Sequence, residues 1–390
     1  MNDKSKIEKH KAKILAIILV IYIYVPYFAN ILENTFQLSA LYEYIIYIVL
    51  AMISIMVTMR INKRVLIFLL IFGLLISVNC ILVTYQYYVF IEGIQALIGI
   101  MIPCLCVSNK IFNLKIFIKI WFKVSKLNFP LVLAGVVLLK YKLVTYAIFT
   151  GICVPNAFIT AYMVLQGIEK RKWLYVNAVI NILTIVAFGG RTASVISICM
   201  IFFAVLYSGK IKLWKKLITV IISMVIGYIL LNNYIDILYW INDQFVKYGI
   251  NSRNTYVFLY QIKSDDIYLT NRDYIYKECL EYIKERLGLP GGFGIPLYIT
   301  LGEYYYTHNV ALQFLTFFGV WGTIIVIIMM LIRVKSINKI ASFKCKEFMY
   351  FMLFSYAGIG MTGSSIWIHY LATIFIAIFF FGNKKLYNTI

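Results

Sequence analysis

Residues 308–332 read HNVALQFLTFFGVWGTIIVIIMMLI, a run of twenty-five residues without an Asp, Glu, Lys or Arg. As an α-helix rising about 1.5 Å per residue it would be roughly 38 Å long, more than the ~30 Å hydrocarbon core of a bilayer. Arg333, Lys335 and Lys339 follow at once and mark where the apolar medium ends. Similar runs recur outward from it, at 14–32, 41–59, 65–83, 87–107, 127–139, 150–168, 173–188, 192–208, 217–232, 348–365 and 367–382. The fifth is interrupted by Pro130. The expected fold is an all-α integral membrane protein of about twelve transmembrane helices, with residues 1–390 forming a single polytopic membrane domain. The first run follows Lys4, Lys6, Lys9, Lys11 and Lys13 as a signal peptide would, but no small-residue cleavage site follows it. It is expected to remain as an uncleaved first helix.

Composition agrees. Of the 390 residues 62% are hydrophobic and 14% charged, and the mean hydropathy is +0.85. Soluble domains carry about 45–50% apolar and about 25% charged residues, so a water-soluble globule, a disordered chain and a disulfide-stapled module are all excluded. The net charge of +21 would suggest nucleic acid in a soluble protein. Here 27 of the 37 Lys and Arg fall in segments 1–13, 60–64, 110–126, 170–172, 210–216, 333–346 and 384–385, alternate connections of the same side. Eleven of the sixteen acids fall on the other side. This is the positive-inside pattern: both termini are expected in the cytoplasm, and no nucleic-acid partner is implied. The seven cysteines offer no C-x-x-C pair and only Cys279 lies outside, so packing is their expected use.

One connection stands apart. Residues 233–307 form a large extracytoplasmic loop holding nine of the sixteen acids. Within it, Thr270-Asn271 ahead of Asp273 reads as a helix start, and Tyr276, Cys279, Leu280, Ile283 and Leu287 recur at helical spacing. Gly288-Leu289-Pro290-Gly291-Gly292-Phe293-Gly294 ends that amphipathic helix abruptly. Glu92 is the one acid inside a span, a functional candidate or a structural hydrogen-bond acceptor. The informative polar residues lie at the external helix ends. Gly189-Gly190-Arg191 sits in a very tight turn, where glycine's tolerance of positive φ is expected to serve and Arg191 is placed at the boundary. Arg272 opens the loop helix, and His308 opens the run quoted above. Arginine presents a fixed fork to phosphate, and a histidine near pKa 6.5 relays protons. Two arginines and a histidine suit a phosphorylated lipid donor. No P-loop, H-E-x-x-H or D-x-D is present.

Gly189-Gly190-Arg191-Thr192-Ala193, Asn271-Arg272-Asp273 followed by Gly292-Phe293-Gly294, and His308-Asn309-Val310-Ala311-Leu312-Gln313 running to Gly319 and Gly322 occur in that order. In them the chain resembles the O-antigen ligase/polymerase superfamily, and within it the Wzy-type polysaccharide polymerases. The family often has Ser-Arg-Gly where this chain has Gly-Gly-Arg. The resemblance implies a GT-C-like, metal-independent glycosyltransferase of the bacterial cell (inner) membrane, without cofactor. Its donor and acceptor would be undecaprenyl-diphosphate-linked oligosaccharides, and its partners membrane lipid, a flippase and a chain-length regulator. The resemblance casts Arg191, Arg272 and His308 as catalytic and Asn309, Arg253 and Tyr305 as substrate-binding. Arg253 is a competing loop arginine. Tyr298, Tyr304, Tyr305 and Tyr306 either stack sugars or form an interfacial aromatic belt. A ligase moving finished glycan to another acceptor would share these residues. A lipid-linked oligosaccharide flippase would need a charged cavity and repeats, and a membrane scaffold would leave the Arg/Arg/His placement unexplained.

Overall fold

The computed structural model describes residues 3–36, 41–145, 147–167, 172–250, 252, 255–257, 259–260, 272–361, 365–367 and 369–388. Arg253, Asn271 and most of the stretch from 251 to 271 lie outside the described residues. No strand occurs among those described. In chain order the helices are α1 (Asp3–Phe36), α2 (Leu41–Thr58), α3 (Lys63–Leu82), α4 (Gln86–Val107), α5 (Leu114–Ser125), α6 (Asn128–Lys140), α7 (Ala147–Gln166) and α8 (Lys172–Phe188). They continue as α9 (Arg191–Tyr207), α10 (Leu213–Lys247), α11 (Arg272–Glu285), α12 (Ile295–Ile299), α13 (Val310–Ile340), α14 (Phe343–Gly360), α15 (Tyr370–Phe381) and α16 (Lys384–Tyr387).

Five of these helices (α1, α3, α4, α7 and α13) are long and apolar enough to cross a membrane among the described residues, or six if α5 and α6 make one span bent by 48°. Four shorter apolar helices accompany them. On α3, Leu66, Ile67, Leu70, Ile71, Leu74 and Leu75 face outward, as do Ile324, Ile325, Ile327 and Ile328 on α13. Apolar faces of that extent are not left against water by soluble proteins; this is the surface of an all-α membrane protein. The break in the fifth span falls at 126–127 rather than at Pro130. Pro130 lies in the first turn of α6, where the missing N–H would have no partner in any case.

The chain forms two compact units. The first comprises Met1–Ile23, Glu43–Ile120 and Leu269–Ile390, and the second Tyr24–Tyr42 and Trp121–Tyr268. In the second unit α7 is the central helix, buried from Ile148 to Leu165 except at Thr150 and Gly151, between α6, α8 and α9. Its interior is stitched by amides. Tyr24 donates to Asn156 Oδ1, Asn156 Nδ2 to Asn128 Oδ1 at 2.6 Å, and Asn128 Nδ2 to Asn181 Oδ1 at 2.9 Å. Asn177 Nδ2 donates to Thr160 Oγ1 at 2.9 Å. Such bonds hold apolar helices in register where no hydrophobic force distinguishes one face from another. The segment expected as loop from 233 begins as helix. α10 continues through Lys247, deformed only at Asn233 (φ −122°, ψ 15°), whose Nδ2 bonds back to Ile229 O.

In the first unit α4 packs on α3 and α15. Phe72, Ile76, Val89, Ala96, Phe293 and Trp367 form one core cluster. Phe293 belongs to the glycine-rich loop after α11, so that loop is driven into the helical core rather than lying over it.

Candidate functional site

α11 and α13 pack against each other. The face of α11 that meets the protein carries Ile275 and Cys279, four residues apart. Leu280 and Leu287, expected on the buried face, are 56% and 85% exposed. The apolar stripe is therefore rotated toward Ile275, a residue the periodicity passed over.

The turn that follows α11 fixes its position. Leu287 and Gly288 take φ of 53° and 73°, and Gly292 and Gly294 both take 81°. Gly291 N and Gly292 N donate to Thr316 O and Phe317 O at 3.0 Å, and Val320 N donates to Gly288 O at 2.8 Å. These bonds meet α13 where Gly319 breaks it, at φ 68° and ψ 177°. A side chain on Gly319 would strike Gly288 O and the Leu289–Pro290 peptide. Thr316 O and Phe317 O are carbonyls that the break deprives of their helical donors, so the loop N–H groups replace those donors. Thr323 Oγ1 lies within hydrogen-bond distance of Gly319 O at 2.6 Å and of Phe314 O at 3.0 Å and ties the two sides of the break together. On the other side Tyr85 donates to Gly291 O at 2.9 Å, Phe293 N to Asn79 Oδ1 at 2.8 Å, and Gly294 N to the carboxylate of Glu92. Glu92 thus accepts a backbone hydrogen bond, the structural one of its two expected uses. Gln313 is likewise engaged: its Nε2 donates to Ser365 Oγ at 2.9 Å and its Oε1 accepts from Ile366 N.

Arg272 opens α11 half-buried, and its Nε is buried without a hydrogen-bond partner. His308 stands just before α13 in a left-handed conformation (φ 54°), uncommon for a residue other than glycine. Tyr276 of α11 donates to its carbonyl at 3.3 Å. Its ring lies 4.4 Å from that of Tyr306 and edge-on to Tyr304 at 5.9 Å. His308 Nδ1 is buried with no partner. Burial, and then the positive charge of Arg272, push this imidazole down to about 4. The two side chains are therefore electrostatic neighbours, each with an unmet nitrogen. A buried polar atom without a partner is uncommon, and a strained residue beside it marks a place that structure alone does not favour. A guanidinium at a helix N-terminus is complementary to an anion. A neutral imidazole can take or give a hydrogen bond to a hydroxyl.

Asn309, expected to bind substrate, has a structural use in the fold. It is the N-cap of α13, its Oδ1 accepting from Ala311 N at 2.9 Å and Leu312 N at 3.2 Å. Tyr305 is 55% exposed. Arg191 belongs to the second unit, where it is the first residue of α9 and half-buried. Its turn does not use positive φ: Gly190 is extended, at φ −77°. Glycine is required at 189 for another reason, since a Cβ there would lie 2.7 Å from Ile185 O. Gly190 N donates to Thr150 Oγ1 at 3.2 Å, and Ser252 Oγ donates to Ala187 O at 2.6 Å. Sequence reasoning missed Tyr276 as a polar link, Asn79 and Tyr85. Asn79 and Tyr85 are single polar residues on an apolar helix or at its end, Tyr276 reads as part of the apolar stripe of an amphipathic helix, and only long-range contacts give each its role. Among the described residues no group of three or more His, Cys, Asp or Glu comes together.

No family model matches the chain, and neither a curated protein nor a solved structure does so.

Proposed function

We propose that the chain is a polysaccharide polymerase, a metal-independent glycosyltransferase that joins undecaprenyl-diphosphate-linked oligosaccharide repeat units into O-antigen, capsule or exopolysaccharide at the outer face of the bacterial cell membrane. The observation that carries this reading is the pairing of Arg272 with His308 at the head of a long apolar helix, each with a buried nitrogen lacking a protein partner. The motif order that resembles the Wzy-type polymerases supports it from the sequence side. Twelve crossings in a GT-C arrangement belong to the same proposal. The five long helices, the bent pair, the four shorter apolar helices, α10 and α14 would supply them.

In this reading the acceptor hydroxyl attacks the anomeric carbon of the donor glycan. The bond from that carbon to the lipid diphosphate breaks, and its electron pair leaves with the diphosphate. Arg272 binds the diphosphate bidentately and stabilises the growing negative charge, with the N-terminus of α11 adding backbone N–H groups. The resemblance assigns Arg191 a like phosphate-holding part. His308, neutral while the site is empty, orients the acceptor hydroxyl. A bound diphosphate sets negative charge against the imidazole and raises it again, so that His308 takes the proton that the acceptor hydroxyl gives up as its oxygen bonds to the anomeric carbon. Tyr304 and Tyr306 flank that ring and offer faces for sugar stacking.

The glycan profile of a deletion strain tests the proposal. A polymerase leaves single-repeat glycan only; long lipid-linked chains with none transferred would assign the chain to the ligases.

A further inference from the structure

An open cleft of about 640 Å³ lies between the basic end of α1 and the far end of α2, within the first unit and apart from the site above. Its wall is divided by chemistry. Lys6 and His10 stand one helical turn apart on α1, and Lys11 follows His10 along the same wall. Ile14, Met56, Val57 and Met59 supply the apolar part, and Ile7 lies among the cations. Met56 and Met59 are 68% and 78% exposed, and Met59 is held at φ 54°, a conformation unfavourable for a flexible apolar side chain.

The position of the cleft along the helices is informative. On α1 the last lysine is Lys13 and the apolar run begins at Ile14. The apolar run of α2 ends one residue past the helix, at Met59, and Arg60, Lys63 and Arg64 follow. Both helices pass from hydrocarbon-compatible to cationic at the level of the cleft, so it straddles the membrane boundary. Glu8, on the same helix, is not part of the wall. A free phosphate would use the cations and leave the apolar half wet. A zwitterionic lipid would fill the apolar half and gain little from the cations. A lipid with a net negative head group uses both.

We propose that this cleft binds one anionic phospholipid, its phosphate between Lys6, His10 and Lys11 and an acyl chain along Ile14, Met56 and Val57. The test uses the full chain purified in neutral micelles, with bound lipid counted by native mass spectrometry. Phosphatidylglycerol and phosphatidylcholine of the same acyl chains are titrated in parallel, with glycerol phosphate as the head group without chains. One phosphatidylglycerol should bind about tenfold to thirtyfold more tightly than phosphatidylcholine, on the basis of two surface lysines. Lys6→Gln/Lys11→Gln should lower it to the phosphatidylcholine level, whereas Lys6→Arg/Lys11→Arg and the control Lys384→Gln/Lys385→Gln should keep the preference. Glycerol phosphate should not compete. Equal binding of the two lipids to the unmodified protein would overturn the proposal. So would a preference that survives Lys6→Gln/Lys11→Gln, one lost equally in the control, or displacement by glycerol phosphate.

Discussion

Removing Arg272 separates the site reading from a structural one most cleanly, because its side chain makes no hydrogen bond that folding depends on at Nε. Arg272→Ala deletes one charge-assisted contact to a diphosphate, which is worth about 2–4 kcal/mol in the transition state, or roughly 10²–10³ in rate. Its stability cost should be small, at about 0.5 kcal/mol for a partly exposed residue in a first helical turn. Arg272→Lys keeps the charge and loses the fork, so it should recover only part of the rate. A second effect follows from His308. Burial and the Arg272 charge hold that imidazole at about 4, so the neutral form prevails above that pH and kcat/KM should be level from mild acid upward. Without the guanidinium one of the two depressing causes is gone. The acid limb should move to higher pH, toward the ordinary value near 6.5. The assay is polymer length on gels in cells and initial rate against pH with purified protein, both normalised to protein in the membrane. Normal ladders from Arg272→Ala at normal abundance, with the acid limb unmoved, would refute the reasoning and move the assignment to Arg253.

Gly319→Ala should lower stability by about 2–4 kcal/mol, because the backbone there is left-handed and the added Cβ meets the peptide at Leu289–Pro290; an unchanged melting temperature in micelles would contradict the break in α13. Asn309→Ala should cost about 1 kcal/mol through loss of the cap, and Asn309→Ser should restore it. If Asn309→Ser keeps stability but loses polymer, the residue also contacts substrate. Activity should persist in excess EDTA, and a loss restored by magnesium or manganese would show that arginine does not replace a cation. A cysteine at Ser264, in the loop that charge counting places outside, should react with an impermeant thiol reagent in intact cells or spheroplasts; labelling only after lysis would invert the topology.

The membrane class was legible because it rests on composition and run length, which tertiary contacts do not alter. Span boundaries were less so. α10 continues through Asn233 into a segment whose polar residues read as loop, and the fifth span breaks before Pro130, not at it. Arg272 and His308 were legible as chemistry-bearing residues at the ends of apolar runs. Their electrostatic pairing was not, since it depends on Tyr276 reaching the His308 carbonyl and on the turn at Gly288–Gly294 docking into α13. Glu92 illustrates the limit: sequence showed an acid in a span, and only its hydrogen bond from Gly294, 202 positions away, gives it a structural role. Asn309 was the reverse case. Its place after His308 suggested substrate, while an Asn directly before a long apolar run is also an ordinary cap signal.

The most direct measurement is reconstitution of the purified chain in liposomes containing undecaprenyl-diphosphate-linked repeat units and EDTA, with no other protein. The products followed are glycan of two or more repeats and released undecaprenyl diphosphate. The account predicts that both appear together with the unmodified chain, and that Arg272→Ala and His308→Ala at equal incorporation make both at least about 10²-fold more slowly. Repeat units left unextended by the unmodified chain, or equal rates from the three proteins, would contradict it.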